Sequence, residues 1–226
     1  LTSEYPNVPL YHIQLASALN GVGGVQQERE ELAAAEQSWQ RAKVAFERVL
    51  SLSGESADVR SRLGLTLSNL ALLVPKEQSE RKLPLLQEAC EQQRMALRMT
   101  PDAAPIRGYL RSHLLSLARA CLLVGQFSQA ASAALELEQL AVQRGDGRLA
   151  ADLLVRSAVG IGADESLSAE EREARSVEWQ GRAVEMLGRA VVAGVLKRED
   201  LRVDERFAAL RAHPQFRELL DSDGPR

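Results

Sequence analysis

Aromatic side chains are scarce in this sequence: Phe, Trp and Tyr make up 4% of its 226 residues. Isoleucine is scarcer still, with 3 residues, and 17 Val stand against 36 Leu and 32 Ala. The residues that fill pleated sheets are thus few, and the Leu and Ala that replace them favour helices. The composition predicts an all-α protein. The 2 Cys, with no C-x-x-C pair, exclude a disulfide-dense scaffold and a paired-cysteine zinc or redox motif. No stretch of about 18 residues is continuously apolar, so no membrane insertion is expected. A net charge of −3 gives no global attraction to nucleic acid. The opening is neither basic nor continuously apolar, so it does not read as a signal peptide. A chain beginning at Leu1 without Met is expected of a piece cut from a longer protein, or of a trimmed tag.

What the sequence does hold is helical periodicity. Ile13, Leu15, Ala16, Leu19 and Val22 follow i, i+3, i+4 spacing. So do Leu63, Leu67, Leu70 and Val74, and again Leu110, Leu114, Leu117, Cys121 and Val124. Breakers separate these runs, among them Pro9, Gly54, Pro75, Pro101, Gly125, Gly145, Gly160, Gly194 and Pro214. The runs also repeat. Leu15–Gly23 shifted by 48 positions falls on Leu63–Ala71, and a further shift of 47 brings Leu63, Leu70 and Ala71 onto Leu110, Leu117 and Ala118. Each unit continues into a second helix with its own pattern. Ala35-x-x-x-Trp39-x-x-Ala42 and Ala183-x-x-x-Leu187-x-x-Ala190 are clear copies. Ala130-x-x-x-Ala134-x-x-Leu137 is weaker, and Ala89-x-x-x-Gln93-x-x-Ala96 is degraded. Antiparallel helices approach closely only where small side chains meet, with a large one beside them filling the gap.

These residues resemble the tetratricopeptide repeat. The best single match is Leu114, Leu117, Ala118, Cys121, Gly125, Phe127 and Ala130. The first repeat matches at Leu19, Val22, Gly23, Ala35 and Trp39, with Gln26 in place of the aromatic. The family period is about 34 residues; the longer period here reads as extra turns on both helices. The resemblance implies a right-handed α-α superhelix of about four antiparallel helix pairs, near 9–52, 56–99, 103–143 and 147–193, within a repeat region 1–194. The tail 195–226 reads as two short capping helices broken near His213-Pro214. Pro84 is expected in the first turn of the second helix of pair two. Ser168 and Glu171 are expected to form a capping box.

The ends resemble something narrower. Glu4-Tyr5-Pro6-Asn7-Val8-Pro9-Leu10-Tyr11 is similar to the segment entering the repeats of bacterial, planctomycete-type Ser/Thr protein kinases. Gly181–Gly194, followed by Leu201-Arg202-Val203-Asp204 and Phe207-Ala208-Ala209-Leu210, is similar to the end of that non-catalytic region. The chain carries no V-A-I-K, H-R-D or D-F-G sequence, so it supplies no kinase machinery itself.

Other candidates read as structural. Gly21-Val22-Gly23-Gly24 lacks the preceding strand of a phosphate loop, and Gly160-Ile161-Gly162 reads as a helix end. Arg144-Gly145-Asp146 spells an adhesion tripeptide at a helix-to-helix turn. His12, His113 and His213 lack partners at metal-ligand spacing. Cys90 and Cys121 occupy apolar helical positions, as small core residues do. Neither catalytic residues nor a cofactor or metal is expected, and the chain reads as a non-enzyme in the cytoplasm. Recognition remains. By the resemblance, first helices line the inner wall. The groove candidates are Ser17, Asn20 and Gly24, then Leu65, Ser68, Asn69 and Leu72, then Ser112, Leu115, Ser116, Arg119 and Leu122. The family's Lys and Asn carboxylate clamp is not matched, since Asn20, Gly24 and Ser68 bring no Lys. A protein or peptide segment is the expected partner. A spacer or homodimer built on Leu65, Leu72, Leu115 and Leu122 is the alternative, and a hidden helical enzyme the remote one.

Overall fold

The structure is a computed structural model that describes residues 2, 4–140 and 142–221. Leu1, Ser3, Ala141 inside the third expected pair and residues 222–226 of the expected tail lie outside the described residues. Among the described residues every regular element is helical, as the composition requires. The chain divides into two compact units, Leu1–His113 and Leu114–Arg226.

In the first unit, α1 (Pro9–Glu28) and α2 (Leu32–Ser53) pack against each other, α2 packs on α3 (Ala57–Leu73), and α3 packs on α4 (Ser79–Met99). Pro9 sits at the start of α1, where its missing N–H costs nothing. Only three residues turn α1 into α2, and Glu30 adopts a positive φ of 62° to close that turn. Gly54, at φ 78°, ends α2. The Ser56 hydroxyl then accepts from the Val59 N–H and starts α3. Ala16, Phe46, Val49, Leu63, Leu67 and Ala89 form one core cluster, drawn from all four helices. A second joins Ala35, Trp39 and Leu70.

The pair α1/α2 closes around Trp39. Its indole N–H donates to the Asn20 carbonyl at 3.3 Å. Its ring lies so near Gly23 that an added Cβ would stand 2.5 Å from Nε1. Where the aromatic of the first repeat is missing, Gln26 instead accepts from the Ser38 hydroxyl at 2.7 Å. In the pair α3/α4, Gln93 stands at the Trp39 position of the pattern. It is fully buried and donates to the Ser61 carbonyl at 2.9 Å. The degraded repeat therefore swaps a ring for a polar tie.

Pro84 departs from expectation. Helix α4 begins at Ser79, so Pro84 lies inside it rather than in its first turn. A 3-10 turn at Lys76–Gln78 leads directly into the helix and moves the start earlier. Pro84 and Glu80 are both exposed, so the carbonyl that loses its partner faces water.

The second unit starts within α5 (Ala104–Leu123) and continues through α6 (Phe127–Leu140), α7 (Asp146–Gly160) and α8 (Ala169–Val192). Helix α6 packs on α7, and α7 on α8. Gly125, at φ 77°, makes the turn before α6. Phe127 lies against Gly160, where an added Cβ would stand 2.1 Å from the ring. Gly160 is therefore a close-approach residue as well as a helix end. The Ser168–Glu171 capping box forms in both directions. Among its described residues the tail holds three short pieces rather than two: α9 (Arg198–Val203), a 3-10 turn at Glu205–Leu210, and α10 (Pro214–Asp221). The turn packs on α7, and α10 packs on α8 and α9. Phe207, Leu210 and Phe216 are fully buried there. Arg198 and Arg202 donate to the carbonyls of Leu219 and Leu220, which fastens α9 to α10.

Two glycines in α1 separate packing from propensity. A helix-interior Gly→Ala change in open space should stabilise by up to about 1 kcal/mol. Gly21 has such space and Gly23 does not. Thermal melts should therefore show Gly21→Ala raising Tm. Gly23→Ala should lower it, by about 1–3 kcal/mol of stability, because the indole cannot move aside without opening the pair.

Candidate functional site

The face of α1 that carries Ser17 and Asn20 looks onto α3. Ile13, Ala16 and Leu19 occupy the buried stripe, and helical spacing leaves Ser17 and Asn20 beside it. Arg62 of α3 spans the gap. It donates to Asp58 at 2.8 Å and to the Ser17 hydroxyl at 3.0 Å. One turn on, the Thr66 hydroxyl donates to Asn20 Oδ1 at 3.1 Å. The start of α5 brings Pro105, Ile106 and Tyr109 to the same place. These elements enclose an open cleft of about 610 Å³, floored by Phe46, Leu65 and Ile106 and edged by Ser17, Asn20, Asp58 and Arg62. Its size falls within the range of ligand-sized clefts. Its chemistry is an apolar floor with a hydroxyl and ion-pair rim, and its own Arg62 is already bonded across the mouth.

Of the residues read as groove-facing, Ser17, Asn20 and Leu65 line this cleft. Gly24 has open space around it and does not. Ser68 and Asn69 are half-buried and Leu72 is exposed, all farther along α3 and outside the lining set. Ser112 is exposed, and its hydroxyl donates back to the Gly108 carbonyl of its own helix. Leu115, Ser116 and Leu122 are half-buried and Arg119 is exposed; all four belong to the second unit. The reading missed Asp58, Arg62, Pro105, Ile106 and Tyr109. The first turns of α3 and α5 lie ahead of the aligned repeat segments, so the register gave them no counterpart.

The second unit carries a charged face of its own. Arg148, Asp152 and Arg156 follow i, i+4, i+8 spacing on α7, one above another. From the tail, Asp204 accepts from Arg148 at 2.7 Å and from Arg206 at 2.8 and 2.9 Å. Those bonds, the Arg206 one foremost, hold its carboxyl well below the usual range. Asp152 is different. Burial raises its pKa, and its Oδ1 is enclosed without a hydrogen-bond partner. Arg156, Arg206 and Arg119 are near enough to oppose that rise. No α7 residue was among the groove candidates, because the aligned segments end before it.

The remaining candidates have structural surroundings. Gly21–Gly24 is mid-helix rather than a loop. Asp146 of the Arg-Gly-Asp tripeptide is buried, and its Oδ2 accepts from the Gln143 N–H at 2.8 Å; it is committed to the turn. Cys90 and Cys121 are buried, and burial pushes the Cys121 thiol up to about 12. Among the described residues no three His, Cys, Asp or Glu side chains gather as a metal site would need. His113 is 3% exposed, and its ring N–H donates to the Ala89 backbone while Nδ1 is buried without a partner. Burial drives its pKa down to about 4, so the ring is neutral at pH 7.

That histidine gives the fold an acid-sensitive point. The unfolded chain takes up this proton near pH 6.5 and the folded chain near 4, so stability is full above pH 6.5 and is lost as pH falls towards 4. The loss is on the order of 3 kcal/mol. Urea denaturation midpoints should decline over that window, and His113→Gln should flatten the decline. An equal decline in the variant would assign it to other groups.

No protein-family model matches the chain, and no curated protein matches it either.

Proposed function

We propose that this chain is a non-catalytic protein-interaction module. In this reading its consecutive helix pairs continue as a tetratricopeptide-like right-handed superhelix, and the first helices hold a partner segment. The observation that carries the reading is the cleft among α1, α3 and the start of α5, with Leu65, Ile106 and Tyr109 at its apolar centre and a ring of short polar groups. Such a cleft suits a short peptide that inserts one or two apolar side chains and pairs its backbone with hydroxyls at the rim. Tyr109, 39% exposed, supplies a rigid contact at low entropic cost. The likeness of the entry segment and the tail to the region behind bacterial Ser/Thr kinase domains supports a role in presenting a substrate or regulator to such a kinase in the cytoplasm.

The test begins with peptides selected from a random library against the folded chain. Their binding should shift the amide resonances of residues 62–65 and 105–109. Tyr109→Ala and Leu65→Glu should each weaken binding at least tenfold, with melting temperatures near the wild-type value. Selected peptides that ignore both substitutions would remove the cleft from the account. A dimer that these substitutions dissociate would replace it with the homodimer reading.

A further inference from the structure

A second apolar cleft, of about 530 Å³, opens on the other side of the pair α1/α2. Leu15 and Leu19 form its α1 wall, Val44 and Ala45 its α2 wall, and Arg41 and Arg48 stand at its edges. It faces away from the first cleft: Leu15 lies on the side of α1 opposite Ser17 and Asn20.

The repeat itself indicates what such a surface accepts. Leu15 and Leu19 occupy the same register positions as Leu63 and Leu67, which lie 48 residues on. In α3 those two leucines are covered by α2, through Ala45, Phe46 and Val49, in one buried cluster. In α1 Leu19 is buried, but its partner Leu15 is only half-buried and Val44 beside it is left 63% exposed. The surface is therefore the docking face of a helix, with a worked example one repeat away.

Charge narrows the occupant. Arg41 and Arg48 bracket Val44 at i−3 and i+4. Neither forms an ion pair among the described residues; Arg48 donates only to the neutral Asn7 side chain, at 2.9 Å. A docked helix would pass beneath both guanidinia. We infer that this face binds an amphipathic α-helix of a partner protein, one that presents Phe- and Val-sized side chains at i, i+3 with acidic residues on their flanks. It would lie on α1/α2 as α2 lies on α3. This surface is separate from the cleft of the proposed function and does not depend on it.

The probe is a fluorescein-labelled synthetic copy of Leu32–Ser53, the helix that performs this packing on α3, carrying Arg41→Glu, Lys43→Glu and Arg48→Glu. Lys43 borders the Phe46/Val49 face, and Arg41 and Arg48 follow round the helix toward the side of Val44. Fluorescence anisotropy with the full chain should give saturable binding at micromolar concentration, and the unmodified peptide should bind at least tenfold more weakly. In the protein, Val44→Asp should reduce binding at least tenfold without changing the melting temperature, because Val44 is exposed. Arg41→Glu with Arg48→Glu should reverse the preference in favour of the unmodified peptide, and Tyr109→Ala should change nothing. Absent saturable binding, or binding indifferent to Val44→Asp and to the charge reversal, would overturn the inference. A dimer of the chain that Val44→Asp converts to monomer would also overturn it, by making a second copy the occupant.

Discussion

The closeness with which two helices approach governs everything else in this chain. In the pair α1/α2 a small residue admits a large one, with Gly23 beneath the Trp39 indole. Phe127 against Gly160 repeats the device in the second unit with the large residue on the other partner. Of the few aromatics, Trp39 and Phe127 stand at these close approaches, and most of the remaining core is Leu and Ala. The indole also caps the arrangement with a hydrogen bond to Asn20. Loss of such a ring is a large-to-small change in a closed site, which typically costs about 3–5 kcal/mol.

Once the pairs are closed, their remaining faces are fixed by helical geometry. The stripe of Ile13, Ala16 and Leu19 on α1 leaves Ser17 and Asn20 on one side and Leu15 on the other. The first side meets α3 through Arg62 and Thr66 and bounds a polar-rimmed cleft. The second side bounds an apolar one edged by arginine. Helix α1 thus borders two surfaces of different chemistry. In the second unit the charged ladder on α7 is tied to the tail through Asp204, so the tail contributes electrostatics as well as apolar cover.

Helix content and the sites of the main breaks were legible in the sequence because they follow from periodicity and from Gly and Pro, which act locally. Ser168 and Glu171 were legible for the same reason, since a capping box is complete within four residues. Pro84 was misplaced because helix α4 tolerates it at an exposed position, and exposure is a tertiary property. The candidate groove was only partly legible. Ser17, Asn20 and Leu65 follow from the repeat register. Tyr109, Ile106 and Arg62 enter through the angle at which α5 and α3 meet α1, and no spacing in the sequence records that angle. Asp152 and Arg156 were missed because the register had not been carried into α7.

The proposed function depends on α1, α3 and the start of α5 leaving an open, lined cleft after their pairs have closed. A crystal structure of the chain tests this most directly. The expected result is a solvent-filled cleft with Ser17, Leu65 and Tyr109 on its walls and Arg62 bonded across to Ser17 and Asp58. Contact between Leu65 and Tyr109 that closes the cleft, or a segment of the same chain lying in it, would contradict the account.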